Sequence, residues 1–349
     1  MELHAVWTEA GHRLGGGSPD EVLVNEFLSH LVARAFSPAT VRAYVFDLLN
    51  FLRFLTGRQA RLADVVATDL FDYLEWQQRP VAPAGGKVVR LTQRRGPAPS
   101  TVNRRVAAVR GLFEYALMCG ARESNPVPAA RRSSGLRAKP AGLLGHVRPG
   151  RPREGGRLVR QQRQLPEALE PDDIAAFLTD LWTYRDRAIT LLMLLGGLRA
   201  AEVRSLRLAE VDMGLRRVRV AGKGGRERVV PVDGAFFSNL AAYLREERPP
   251  GCTTAQCFVV LRGPTAGQPL TEAGLRRIFR THRATSGAVR VRPHRLRHTY
   301  GTELAAAGID LLVLRDLMGH VNPETTAAYV HLAPETLAAE YARARGVTR

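Results

Sequence analysis

Cysteine is scarce in this chain. Cys119, Cys252 and Cys257 are the only three, too few and too irregularly spaced for a disulfide framework. Cys252 and Cys257 would begin a metal site, but no second pair or neighbouring histidine completes it. Long apolar runs are also missing. Nothing approaches the roughly 18 consecutive apolar residues of a membrane helix, and the opening MELHAVWTEAGHRLGGG has no apolar core of signal-peptide length. Lysine is nearly absent: Lys87, Lys139 and Lys223 stand alone among 51 basic residues. Acids are outnumbered too, 33 against 51, which leaves a net charge of +18. The dominance of arginine over lysine fits a GC-rich coding sequence. The excess of cations still requires a polyanionic partner, and nucleic acid fits it better than a membrane surface. The expectation is a reduced, cytoplasmic, nucleoid-associated protein.

Against those absences stands clear helical punctuation. DEVLVNEFLSHLVARAF aligns Val22, Phe27, Leu28, Leu31 and Val32 at helical spacing. In SPATVRAYVFDLLNFLRFLTG, Ser37 suits an N-cap, Pro38 the first helical position and Gly57 the end. A short helix follows near 68–78. PSTVNRRVAAVRGLFEYALMCG repeats the design, with Ser100 as cap and Gly120 as stop. The reading is a loose segment over 1–19, then an all-α unit over 20–126 with Arg-rich exposed faces. A basic linker spans 127–165. From Arg131 to Arg163 it holds nine arginines and one lysine against a single acid, Glu154, half the net charge of the chain. Such a run is either solvated or set against a phosphate backbone.

Residues 166–349 read as a second domain. Asp172 and Asp173 fit the first turn of a helix, where they complement its dipole. Helices are expected near 185–195 and 200–209. RRVRVAGKGGRERVVPV alternates apolar and polar residues around a Gly-rich turn, the pattern of a β-hairpin. The stretch 271–345 is helical again. The fold class is therefore mainly α with a small β-sheet in the second domain.

Four pieces of this domain carry chemistry. In LLGGLRAAEVRSL, Arg199 follows a glycine pair and Glu202 lies one turn on. The pair is either a surface ion pair of little value or a buried one that aims the remaining guanidinium donors at an anion. Lys223 in AGKGGRE is either an ordinary hairpin-tip residue or a proton donor, a role arginine cannot fill. In RPHRLRHTYGTEL, Pro293 suits the first helical position, so His294 and Arg297 share a face near a positive helix terminus. His294 and His298 also have zinc-helix spacing, but Arg295 stands where that motif needs glutamate. In LMGHVNPETTAAYVHL, His320 follows a glycine and Tyr329 comes nine residues later. A tyrosine there is either core or a nucleophile, and the nucleophile needs an electropositive setting.

The order GLRAAE, GKGG, HRLRH, LMGH, TTAAYVH resembles the tyrosine recombinase, or phage integrase, family. The two earlier helical stretches resemble its core-binding domain. The resemblance implies catalytic roles for Arg199, Lys223, His294, Arg297, His320 and Tyr329, with Glu202 in support. It implies DNA contacts for Arg42, Arg104 and Arg105 on the first domain, and for Arg148, Arg151 and Arg153 on the linker. The implied fold is a two-domain clamp, an all-α core-binding domain and an α+β catalytic domain. The implied activity is site-specific cleavage and rejoining of double-stranded DNA through a 3′-phosphotyrosyl link, with no metal or other cofactor. The implied assembly is a homotetramer in the synapse, from a monomer in free solution. GG at 196–197 replaces the commoner Thr-Gly, and HTYGT the usual aromatic-Ala-Thr. The alternatives are a type IB-like topoisomerase, which shares the chemistry, and a DNA-binding regulator without catalysis, which would leave the ordered residues a coincidence.

Overall fold

The computed structural model describes residues 3–9, 11–18, 20–79, 96–128, 159, 168–222, 225–320 and 326. The chain divides into two compact units, Met1–Gln162 and Arg163–Arg349. Lys223, Tyr329, Arg148, Arg151 and Arg153 lie outside the described residues, as does most of the basic linker. No described helix is long and apolar enough to cross a membrane.

The first unit begins with a difference from expectation. The N-terminal stretch read as loose is an antiparallel hairpin, β1 (His4–Thr8) against β2 (Gly11–Gly15). Its order comes from packing that local sequence does not announce. Leu3 and Leu14 are buried in the helical core. The Asn25 side chain bonds Leu14 on both its N–H (2.9 Å) and its carbonyl (3.0 Å), acting as one more rung of the ladder.

Four helices follow: α1 (Glu21–Ala33), α2 (Pro38–Gly57), α3 (Ala67–Gln78) and α4 (Pro99–Met118). Ser37 caps α2 by accepting from the Thr40 N–H, as its position implied. For α4 the cap is Ala98 rather than Ser100, because Pro99 takes the first helical position. On α1 the buried stripe is Val24, Phe27, Leu28 and Leu31, whereas Val22 and Val32 face solvent. Phe51, Tyr73 and Phe113 interlock edge-to-face at the centre. Beside them Asp47 is buried, and desolvation pushes its carboxyl up to about 6 against the pull of Arg104 and Arg105. Arg104 reaches it at 2.8 Å while staying half-exposed. Arg105 turns inward, donating to Gln77 Oε1 at 3.0 Å. Arg42 is exposed and stacks over Phe46.

The second unit is built around α6 (Tyr184–Leu195), which packs against α8 (Gly234–Ala242) and α10 (Pro293–Ala306). Before it comes α5 (Pro171–Thr179), with Asp172 and Asp173 in its first turn. After it, α7 (Ala200–Ser205) ends earlier than the sequence suggested. The chain then turns extended at Leu206 and forms a 3-10 turn over Leu208–Glu210. A three-stranded antiparallel sheet follows, β3 (Val211–Asp212), β4 (Arg217–Ala221) and β5 (Glu227–Pro231). Helices α9 (Glu272–Ser286) and α11 (Leu311–Met318) complete the described part. The core joins Leu192 and Met193 of α6 to Val218 and Val230 of the sheet and Phe279 of α9.

One buried polar cluster holds α9 to the start of α6. His282 is only 3% exposed, its Nδ1 2.9 Å from Asp180 and its Nε2 3.5 Å from Asp186. Asp186 in turn accepts from Arg185, Thr285 donates to Asp180, and Trp182 meets the imidazole edge-on. Hydrogen bonds to Asp186 and then Asp180 raise the His282 pKa above 6.5, outweighing burial. A raised folded pKa means the stabilisation is complete below pH 6.5 and is lost as pH climbs through the folded value. Denaturant midpoints taken from about pH 6 to 9 should therefore decline, and His282→Gln should flatten that decline. A wild-type midpoint that rises over this window would contradict the charged pairing.

Candidate active site

Arg199 occupies the N-cap of α7, where the glycine pair ends α6 and the chain reverses. Its backbone N–H donates to Glu202 Oε2 (2.8 Å) and its Nη1 to Oε1 (2.7 Å). Its Nη2 donates to the Gly319 carbonyl (2.9 Å). Glu202 is 7% exposed and the Arg199 side chain 39%, so the carboxylate is buried while the guanidinium keeps a face on the cleft. Arg228 completes the cluster from β5, donating from Nη1 and Nη2 to the two oxygens of Glu202 (3.0 and 2.8 Å). Burial pushes the Glu202 carboxyl up. The bonds from Arg228 and Arg199 outweigh it and leave the pKa below the ordinary value.

Arg297 comes from the first turns of α10 and is 4% exposed. Its Nη1 donates to the Gly197 carbonyl and its Nη2 to that of Met318, so one guanidinium ties α10 to the end of α6 and the end of α11. The glycine pair is explained by what surrounds it. Gly197 has φ +62°, and a Cβ there would run into the ring of Tyr300. A Cβ at Gly196 would stand 2.9 Å from the Leu192 carbonyl. Tyr300 is buried against this turn and packs with Leu314 and Met318.

Three histidines approach the same cations. His294 follows Pro293 in the first turn of α10. The spacing that resembles a zinc helix produces something else: His294 Nε2 and His298 Nε2 lie 2.7 Å apart, hydrogen-bonded to each other. His320, just past the left-handed Gly319 at the end of α11, sets its Nδ1 3.0 Å from Thr326 Oγ1. Burial, then Arg297 and Arg199, lowers the pKa of His294 and brings that of His320 to about 4. His298 also falls to about 4, through burial and then His294. With pKa values lowered in this way the three rings are mainly neutral at pH 7, each with one nitrogen that accepts a hydrogen bond and one that donates.

These groups line one cleft of about 1400 Å³. Of the residues singled out from sequence, Arg199, Glu202, His294, Arg297 and His320 meet there. Lys223 and Tyr329 lie outside the described residues, but Gly222 before the lysine is at the cleft and bonds to the Arg226 carbonyl at 2.7 Å. Arg228 was missed, and His298 was noted only for its zinc-helix spacing. Arg228 did leave a signal: in β5 it sits opposite Val220, on the inward phase of the strand shared with Val230, where a charge is out of pattern. Among the described residues no group of three histidine, cysteine or carboxylate side chains is arranged to hold a metal. Chemically, the cleft offers guanidinium donors held by carbonyls and a buried carboxylate, with neutral imidazoles beside them. That suits an anionic group undergoing proton transfer.

The Gly197–Tyr300 contact can be tested directly. Gly197→Ala forces a side chain into left-handed backbone and into the Tyr300 ring, so it should cost about 2–4 kcal/mol of stability. In a Tyr300→Ala background the same Gly197→Ala substitution should cost less than in wild type, read as a double-mutant cycle in denaturant titrations. Full stability of Gly197→Ala would contradict this packing.

Comparison with known proteins agrees with the geometry. The family described as "Phage integrase family" matches residues 167–336, and "Phage integrase, N-terminal SAM-like domain" matches 24–120. A tyrosine recombinase XerC from Rhodospirillum centenum is 32% identical over 320 residues, 88% of this chain and 82% of the relative. That of Staphylococcus haemolyticus is 27% identical and covers 91% and 95%. Among solved structures, the XerH site-specific recombinase bound to palindromic difH substrate superposes with a TM-score of 0.61 at 19% identity, covering 89% of this chain and 81% of that one. The Tn1549 transposon integrase in complex with transposon right end DNA gives 0.60 at 17%, covering 93% and 99%. At those identities the two structures speak for the fold. Together with the matched sequences, they show that the chain belongs to the phage integrase family of tyrosine recombinases, enzymes that cleave and rejoin DNA in site-specific recombination.

Proposed function

We propose that this chain cleaves one strand of double-stranded DNA at a specific recombination site by attack of Tyr329 on the scissile phosphate. The phenolic oxygen bonds to phosphorus, the bond to the 5′-oxygen breaks, and a 3′-phosphotyrosyl link conserves the phosphodiester energy for rejoining. Arg199 and Arg297 stabilise charge on the non-bridging oxygens. His294, neutral because burial and the two arginines lower its pKa, takes the phenolic proton. His320 holds the phosphate, and Lys223 protonates the departing 5′-oxygen, which leaves as a free 5′-hydroxyl. Arg42 and Arg104, with Arg148, Arg151 and Arg153 of the linker, contact the DNA backbone. Four copies on two duplexes form the synapse, assembled from monomers on chromosomal or element DNA in the cytoplasm. The observation that carries this reading is the convergence of Arg199, Arg297, His294 and His320, drawn from three distant segments, on one cleft.

Protein incubated with fragmented genomic DNA and denatured should carry covalently attached strands, whose sequencing gives the site. A nicked suicide duplex of that sequence should then trap a covalent complex with wild type and Tyr300→Phe and none with Tyr329→Phe. Trapping by Tyr329→Phe would move the nucleophile elsewhere. Guanidinium and imidazole groups take the part that metal plays in other phosphoryl transfers. EDTA should accordingly leave the trapping rate within about twofold, and a tenfold loss restored by zinc or magnesium would overturn the metal-free chemistry.

A further inference from the structure

Arg228 has no role in the reaction as written, yet its guanidinium is fully committed within the protein. Its side chain is 11% exposed and all three guanidinium nitrogens are engaged. Nε donates to the Leu317 carbonyl at the end of α11 (2.8 Å), while Nη1 and Nη2 grip both oxygens of Glu202. Gly319 lies directly against it: a Cβ there would stand 2.9 Å from Arg228 Nη1. The residue belongs to β5, one strand of the hairpin whose turn holds Lys223, five positions earlier. One side chain thus fastens the lysine hairpin to α7 and to the corner that carries His320. Arg199 has its own bonds to Glu202 and Gly319, so its anchoring does not run through Arg228.

We propose that Arg228 is a positioning residue, the staple that holds the β4–β5 hairpin against the Leu317–His320 corner so that Lys223 reaches the leaving 5′-oxygen. Arginine is required because three nitrogens in a fixed plane satisfy three acceptors at once. A lysine ammonium has one nitrogen and cannot span Leu317 and both Glu202 oxygens. The proposal rests on the role given to Lys223 above.

The test compares two suicide duplexes of the trapped sequence, one with the natural 5′-oxygen at the scissile phosphate and one with sulfur. A sulfur leaving group departs without protonation, so it bypasses the lysine step. Lys223→Ala serves as the control that should lose on oxygen and recover on sulfur, and Arg199→Ala as the control that should lose on both. On oxygen, Arg228→Lys and Arg228→Gln should cleave about 30-fold or more slowly at saturating DNA, with Kd within about threefold of wild type. On sulfur their deficit should shrink to about threefold or less. The melting curve is read first, and Arg228→Lys, which keeps charge and bulk, decides the matter if the glutamine variant does not fold. An equal deficit on both substrates would overturn the staple and make Arg228 a contributor to phosphate charge or to general architecture. So would an unchanged rate on oxygen. If Lys223→Ala itself is not rescued by sulfur, the role of the lysine falls, and the staple with it.

Discussion

The second unit depends on one buried carboxylate. Glu202 accepts from the Arg199 backbone, the Arg199 side chain and twice from Arg228, and it does so at 7% exposure. Without it, two guanidiniums beside a third from Arg297 would repel one another across the cleft. With it, two of the cations are fixed in place by a charge that lies behind them. Their strength is that of preorganised dipoles, which need no rearrangement when charge develops on a bound group. A buried acid in this setting stays ionised because its four charge-assisted bonds outweigh the cost of burial.

The same cationic field sets the state of the histidines. Arg297 and Arg199 lie close enough to depress the pKa of His294 and His320 beyond what burial achieves. The imidazoles are therefore mainly neutral where the guanidiniums are charged. The His294–His298 contact adds a constraint, since one Nε2 must donate and the other accept. Backbone carbonyls do the remaining holding. Gly197, Leu317, Met318 and Gly319 all present theirs to an arginine. They lie where α6 and α11 end, so these are carbonyls that no further helical turn could satisfy.

The first unit uses its charge differently. Its core is an aromatic interlock, and the buried Asp47 draws Arg104 and Arg105 toward α2. Arg105 is consequently largely an internal residue, while Arg104 and Arg42 keep exposed surface. A count of arginines on a helix overstates the number available to an anionic partner, because some of them balance buried acids.

Much of this was readable from sequence for identifiable reasons. The helices α2 and α10 carry their own punctuation in Ser37 and Pro293, which act within one turn of the residues they organise. The hairpin of β4 and β5 follows from alternation around glycines, and the site residues from their types and order along the chain. Local rules fail where the deciding partner is distant. The hairpin at the N-terminus exists because Asn25 and the helical core complete it. Val22 and Val32 satisfy helical spacing yet face water, since which stripe is covered depends on where α2 and α4 lie. His294 and His298 have a metal-like spacing, but their rotamers turn them onto each other. Arg228 was legible only as a charge out of phase in a strand. What it does required the approach of α7 and α11 from 26 and 89 residues away. Sequence by itself determined the chemical inventory and the local elements, since those depend on residue type and near-neighbour spacing. Only the tertiary structure decided which cations share a carboxylate, because that is a matter of contacts between segments that no local spacing encodes.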